Sequence, residues 1–334
     1  MGLFARLQKL PETRSSRDRS LPPELMLSIV RLSAFSALLD ARSWDLAQYA
    51  RVSRLAQPDI TRMLYSVIQL QSRKSTCSLL SSLQRKGGTF AEENVRGLRI
   101  DVTFAKSARD DTVQKLHTIL DMCSSAFIYA PSTLIDHLSY RSLQHPMGQA
   151  KRSWQPRHHD LAVNWSIASV FTGIENRTSR ALYDQMSWPL PIRRIHLAMG
   201  ESIIVNKQLL RLHCLLAPGQ PLSSVTHLAI DCTHPALMYP QFLVEPIRRL
   251  LELHGLRRVV LRIAGLACLD ADLRKALAAL HDPRLALDVV GGVASPGDEM
   301  EQITLSKTSI RSWRVQALGH GDLWMAGQVM SENE

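Results

Sequence analysis

The sequence predicts an α/β protein in which a short N-terminal helical module precedes an irregular array of mainly parallel strands. Two observations support this prediction: a three-position apolar motif recurs along the chain, and helix-like segments lie between its copies. A third observation is the proline pair Pro22 and Pro23, which precedes an apolar stretch of helical periodicity. The chain has 334 residues, of which 45% are hydrophobic, so it is long enough to bury a sizeable core.

The helical module opens with LPPELMLSIVRL, residues 21–32. Proline is tolerated in a first helical turn, and Glu24 suits the positive end of the helix dipole there. Leu25, Ile29 and Leu32 share one stripe at helical spacing, and a second apolar stripe runs beside it. An apolar face this wide on a short helix predicts packing against two different surfaces.

Two further helices and then a strand are predicted within residues 41–70. Pro58 favours the first turn of the last helix, and the β-branched pair Val67 and Ile68 favours a strand after it. The sequence therefore predicts a domain boundary near residue 66. The predicted parts are a flexible basic tail at 1–18, a helical module at 19–65 and an α/β domain at 66–330.

The repeating motif reads apolar-x-x-apolar-x-apolar. Its copies begin at Val95, Ile192, Val225 and Leu256, and the last three begin 33 and 31 residues apart. The last two apolar positions of each copy alternate, so they point to one side of a strand. Parallel strands need a crossover of about a dozen residues, usually a helix, and the spacing allows one.

Further strands are predicted at 125–130, 161–167 and 284–290. An ordinary α/β domain with similar strands is the alternative.

The formal net charge of +10 raises nucleic acid as a partner. The positive residues are mostly dispersed, however, and aromatic residues make up only 6% of the chain, so nucleic-acid binding is not expected. One dense cluster, KRSWQPRHH at 151–159, is interpreted as a solvated loop. A contact with phosphate or with an acidic peptide is the alternative interpretation.

Nothing in the sequence indicates a membrane or secretory protein. No apolar run approaches the roughly 18–20 residues of a membrane span, and the first twenty residues lack the apolar segment of a secretory signal. The five cysteines are scattered and form no CxxC pair, which fits reduced thiols. We therefore expect a cytoplasmic or nuclear protein without a membrane partner.

The sequence lacks the common catalytic and cofactor-binding motifs. It contains no GxxxxGK[ST] loop, no GxGxxG fingerprint and no GxSxG nucleophile turn. It also contains no HExxH motif and no paired Cys/His spacing of a metal site. We therefore expect a protein that is not an enzyme, with no catalytic residues, no metal and no cofactor.

The helical module resembles a known family. LPPELMLSIVRL followed by ARVSRLAQPDITRMLYSVIQL resembles the F-box, a helical module that begins Leu-Pro-x-Glu-Leu. The strand motif VRGLRID and the closing DLWMAG resemble the F-box-like proteins with degenerate leucine-rich repeats that are abundant in fungi. The resemblance implies an irregular leucine-rich-repeat-like α/β arc after the F-box. It also implies binding to a Skp adaptor, and through that adaptor to a cullin.

The resemblance implies roles for particular residues. Leu21 and Pro22 would pack on the adaptor, with Leu25 and Ile29 on the same helix and Val52 on the second. The implied function is that of a non-catalytic substrate receptor of an SCF-type ubiquitin ligase. The alternative is a protein-interaction scaffold with a vestigial F-box and no role in ubiquitin transfer. An exposed apolar stripe on the first helix favours adaptor docking, whereas a stripe covered by the following residues favours the scaffold.

The target would lie against the repeat domain, on the exposed side of the strands and the loops after them. Arginine dominates these positions and binds carboxylate and phosphate in a bidentate manner. We therefore expect an acidic or phosphorylated target protein. The competing interpretation is that these arginines are solvated and pair with nearby Asp and Glu. The candidate target-binding residues are Arg96, Arg99, Arg193, Arg194, Arg257, Arg258 and Arg262.

Overall fold

The computed structural model describes the chain in segments. These are residues 22–39, 43–52, 54–100, 110–131, 160–164, 192–198, 205–220, 222–232, 240–264, 271–290, 312–321 and 323–329. The predicted tail at 1–18, Leu21 and the basic cluster at 151–159 lie outside the described residues. The chain divides into two compact units, Met1–Thr61 and Arg62–Glu334, which we call the helical unit and the sheet unit.

The helical unit contains α1 (Pro23–Leu39), α2 (Ser43–Val52) and the first half of α3 (Gln57–Ser66). Helix α1 begins at the second proline of the pair, and its first intrahelical bond runs from the Met26 amide to the Pro22 carbonyl at 3.0 Å. The helix continues beyond LPPELMLSIVRL through SAFSALL, residues 33–39.

The second half of α1 supplies much of the core of the helical unit. Small and medium apolar side chains are buried there at helical spacing. Side chains of this size allow the neighbouring helix to approach closely. An ion pair between Arg31 and Asp59 also joins α1 to α3. The buried apolar residues of this unit are Ala34, Ala37, Leu38, Leu46, Ala56 and Ile60.

The sheet unit alternates strands and helices. Its elements are β1 (Val67–Leu70), α4 (Arg73–Lys86), α5 (Gly88–Asn94), β2 (Gly97–Ile100), α6 (Asp110–Met122), β3 (Phe127–Pro131), β4 (Asp160–Asn164), β5 (Arg194–Ala198), α7 (Val205–Leu216), β6 (His227–Cys232), α8 (Pro240–Leu251), β7 (Arg258–Ala264), α9 (Ala271–Ala278), β8 (Leu285–Val290) and β9 (Gln328–Val329). A short helical segment, 312–317, precedes β9.

The described strands form one sheet in sequential order from β1 to β9. Strands β1 to β8 are parallel, and β9 pairs with β8 in the antiparallel direction. Helices separate β1 from β2, β2 from β3, and each successive pair from β5 to β8. The prediction of an α/β fold with mainly parallel, sequentially arranged strands is thus confirmed.

The apolar motif has a clear structural role. Every apolar residue of the four motif copies is buried in the core between the sheet and its helices. The first apolar residue of each copy precedes its strand, and the other two lie on the helix-covered face of the strand. Burying a Leu, Ile or Val side chain stabilises a fold by about 1.5–3 kcal/mol, so the motif marks the core directly.

The opposite face of the sheet, which we call the second face, is covered in part by the C-terminal segment 312–329. Trp313 is fully buried on this face in a cluster with Phe127 and Tyr129. Its indole Nε1 donates a hydrogen bond to the Phe127 carbonyl at 3.2 Å. Gly97 allows this approach, because a Cβ there would lie 3.0 Å from the Trp313 ring and 2.9 Å from the Ala317 Cβ.

Candidate functional site

The helical unit exposes a stripe of large apolar side chains on the first half of α1. Leu25, Ile29 and Leu32 are 53%, 51% and 70% exposed, and Met26 lies beside them on the helix. The spacing of three and four residues places them on one side of the helix. We call these four residues the apolar stripe. Pro22, at the start of α1, is also exposed.

Two further apolar side chains are exposed in the same unit. Val52 ends α2 with 64% exposure, and Leu55 follows in the next turn with 75%. Of the seven exposed large hydrophobic residues in the described part of the chain, six lie in the helical unit, and Met325 is the seventh. Single exposed apolar residues are ordinary, whereas a concentration of them is typical of an interaction surface.

Residues 33–39 do not cover the apolar stripe. They extend α1, and their apolar side chains Ala34, Ala37 and Leu38 are buried within the helical unit. The two ends of α1 thus have different roles: the C-terminal half packs against its own unit and the N-terminal half leaves its apolar side chains in solvent. The wide apolar face predicted from the sequence is therefore exposed in the first part of the helix and buried in the last part.

The second face of the sheet carries a buried polar network. His196 Nε2 lies 2.8 Å from Asp231 Oδ2, and Arg262 Nη1 donates to Asp231 Oδ1 at 2.9 Å. Arg262 Nε also donates to Asp288 Oδ2 at 3.0 Å, and its Nη2 donates to Ser312 Oγ at 2.8 Å. The network therefore links strands β5 to β8 with the C-terminal segment. A buried cation bound by two carboxylates is compensated within the protein.

The candidate target-binding arginines separate into groups. Arg262 is 4% exposed, so the expectation that it offers a free cation to a target does not hold. Arg194 forms a bidentate pair with Asp160, with Nε at 2.6 Å from Oδ1, and stacks over Trp324 at 5.5 Å. Arg99 lies 5.7 Å from the Tyr129 ring centroid. These side chains already have partners inside the sheet unit.

The other candidate arginines lie at the amino-terminal edge of the sheet. Arg96, Arg193 and Arg257 are exposed and directly precede β2, β5 and β7. Arg258 is the first residue of β7 and is half-buried. The arginines predicted from the sequence thus do not form one surface: Arg96 is three strands away from Arg193, whereas Arg193 and Arg257 are separated by one strand.

Sequence reasoning missed Trp313, Ser312 and the polar network. A signal for the network was present, because the residue after the last apolar motif position is Asp231 in β6 and Arg262 in β7. The equivalent residue in β8 is Asp288, as the strand register shows. Charges of alternating sign at one register position of neighbouring strands indicate cross-strand ion pairs.

Two cysteine thiols of the sheet unit are buried and not activated. Burial raises the pKa of Cys123 to about 12 and raises that of Cys232 as well, so both thiols are protonated at neutral pH.

Within the described residues, no group of three or more His, Cys, Asp or Glu side chains is arranged to hold a metal ion. None of the helices described is both long and apolar enough to cross a membrane.

Comparison with known proteins adds no family to these observations. When the chain is compared with protein-family models, with curated proteins and with solved structures, no match is found in any of the three.

Proposed function

We propose that the protein is a non-catalytic substrate receptor of an SCF-type ubiquitin ligase. The helical unit would act as an F-box that binds a Skp adaptor, and the sheet unit would act as a leucine-rich-repeat-like domain that holds the target protein. The observation that carries the proposal is the exposed apolar stripe on α1, at the positions where the resemblance to the F-box implies adaptor contacts.

The rest of the helical unit supports this proposal. The stripe lies on a helix whose other half is anchored by Ala34, Ala37 and Leu38, so its geometry is fixed before binding. Val52 is exposed at the end of the second helix, where the resemblance implies a further contact. Helix docking of this kind relies on a few desolvated apolar anchors on one helix face.

The proposal predicts that the double variant Leu25→Asp/Ile29→Asp loses adaptor binding. Each anchor is worth about 1–2 kcal/mol, so we expect the double variant to lose affinity by roughly 30- to 1,000-fold. Both side chains are half-exposed, so the helical unit should still fold. The measurement is co-purification of the full chain with a co-expressed Skp adaptor, followed by calorimetric titration of the purified partners.

The matched control is Met325→Asp, which places the same charge at a similarly exposed apolar residue of the sheet unit. It should bind the adaptor as the unmodified chain does. Adaptor binding that survives the double substitution would contradict the proposed surface. A correctly folded, unmodified chain that fails to bind the adaptor would support the alternative of an interaction scaffold with a vestigial F-box.

A further inference from the structure

Positive charge is concentrated where strands β5, β6 and β7 begin. The register places Arg194, His227 and Arg258 side by side at the first position of these strands. Neighbouring strands lie about 4.8 Å apart, so the three residues fall within roughly 10 Å. The preceding position carries Arg193 on β5 and Arg257 on β7. The cationic edge is defined here as Arg193, Arg194, His227, Arg257 and Arg258.

The backbone fixes the spacing of these side chains. The Thr226 amide donates to the Arg193 carbonyl at 2.8 Å, and the Arg257 amide donates to the Thr226 carbonyl at 2.7 Å. Thr226 Oγ1 lies 2.8 Å from His227 Nδ1, so the imidazole is oriented by its own neighbour. The two exposed arginines therefore flank a threonine hydroxyl and a half-buried histidine on a rigid sheet edge.

The charge of the cationic edge is not balanced within the described residues. Arg194 is paired with Asp160, which is the one carboxylate among the charged groups that act on His227. Arg193 and Arg257 are exposed, and the buried Nε of Arg258 has no hydrogen-bond partner. More guanidinium groups than carboxylates thus meet at this edge.

His227 responds to this excess of positive charge. Burial lowers the pKa of His227, and Arg194, Arg257 and Arg258 lower it further, against the opposing effect of Asp160. The positive charges of these arginines disfavour a proton on the imidazole. The same positive charges would attract an added anion. A bound anion would reverse the effect and raise the pKa of His227.

We propose that the cationic edge binds a phosphorylated side chain of a partner protein. A phosphoryl group carries about −1.5 to −2 charges at neutral pH and offers three acceptor oxygens, which suits two or three guanidinium groups at the start of neighbouring strands. This proposal deepens the target-binding role proposed for the sheet unit and rests on that role. It names the amino-terminal edge of β5–β7 as the binding site.

The extent of the cationic edge favours a single phosphoryl group over a nucleic acid. On one side the same register position is occupied by Asp160 on β4 and Phe127 on β3. On the other side, Arg284 is paired with Asp282. Nucleic-acid binding usually neutralises several phosphates along a longer basic path and uses aromatic stacking. Among the described residues, the cluster of arginines without a paired carboxylate spans only β5 to β7, and exposed Arg96 lies three strands away from it.

The first experiment uses sulfate as a dianion whose charge does not change near neutral pH. The His227 imidazole resonance of the full chain, assigned with the His227→Gln variant, is followed by NMR through a pH titration. We expect the pKa of His227 to rise in sodium sulfate relative to sodium chloride at equal ionic strength. The double variant Arg193→Gln/Arg257→Gln should remove most of this rise.

The second experiment measures affinity for a peptide containing one phosphoserine flanked by glycine and serine. Hydrogen bonds between a guanidinium and a phosphoryl group are charge-assisted and among the strongest in proteins, so we expect the double variant to bind at least about tenfold more weakly. The control Arg211→Gln/Arg274→Gln removes the same net charge from exposed positions on α7 and α9. It should change the affinity by less than about twofold, because exposed charges more than a Debye length of about 10 Å apart are screened.

Three results would overturn the proposal. The first is a His227 pKa that sulfate and the phosphopeptide both leave unchanged. The second is equal affinity for the phosphoserine peptide and its unphosphorylated form. The third is tighter binding of a mixed-sequence single-stranded oligonucleotide that depends on the same two arginines, which would indicate a nucleic-acid site instead. Adaptor binding is measured separately, with the full chain and substitutions in the helical unit, so failure of either proposal is distinguishable from failure of the other.

Discussion

Replacing Trp313 by Ala is expected to lower the free energy of unfolding of the protein by about 3–5 kcal/mol, the usual cost of removing a large buried aromatic side chain. Trp313 is fully buried on the second face of the sheet, with its ring 5.7 Å from that of Tyr129 and 6.3 Å from that of Phe127. The substitution would leave a cavity between the sheet and the C-terminal segment. Chemical unfolding followed by circular dichroism measures the change.

The variant Trp313→Phe separates packing from hydrogen bonding. It keeps an aromatic ring in the cluster but removes the Nε1 donor to the Phe127 carbonyl, so we expect it to cost less than Trp313→Ala. Met325→Ala, at an exposed site in the same segment, should have little effect. A Trp313→Ala variant as stable as the unmodified chain would show that the C-terminal segment does not cover the second face in solution.

The substitution Arg262→Leu is expected to destabilise the protein by a similar amount, about 3–5 kcal/mol, because it leaves the buried carboxylate of Asp231 and the partly buried one of Asp288 without this cation. Asp231 and Asp288 both accept hydrogen bonds from the Arg262 guanidinium, and Asp231 is almost fully buried. A loss of this size lowers the melting temperature by on the order of 10 °C for a domain of this size. Calorimetry of the full chain measures it.

A double-mutant cycle tests the cause of this loss. If the uncompensated charge of Asp231 is responsible, Arg262→Leu/Asp231→Asn should cost less than the sum of the two single variants. Arg248→Leu removes an arginine of the same kind from an exposed pair with Glu245 and should leave stability almost unchanged. Simple additivity within the cycle would contradict a coupled buried network.

Much of the fold of the sheet unit was predictable because its signals are local. The apolar-x-x-apolar-x-apolar motif fixes which side chains of a strand face the helices, and all of its apolar residues are buried. The spacing between copies left room for helices and therefore indicated parallel strands. The proline pair likewise indicated where α1 begins. The end of α1 was missed, because the small apolar residues of SAFSALL suit both a connection and a tightly packed helix.

The candidate site was predictable only in part. Leu25, Ile29 and Val52 were named through the resemblance to the F-box and are exposed, whereas the seven arginines were predicted as one set and belong to different environments. Arg193 and Arg257 face solvent, Arg194 has a partner on β4, and Arg262 is buried between two carboxylates. Spacing along a strand indicates which face a side chain occupies, but it does not identify the neighbour across the sheet.

The sequence by itself determined the positions of the strands, their order along the chain and the apolar faces that the helices cover, because periodicity within a few residues carries this information. Only the tertiary structure decided which arginines are paired with carboxylates inside the protein and which face solvent. The partners of Arg262 are 26 and 31 residues away in the chain, and Trp313 reaches Phe127 across 186 residues. Such pairings depend on strand register and on the path of the C-terminal segment, which no local pattern encodes.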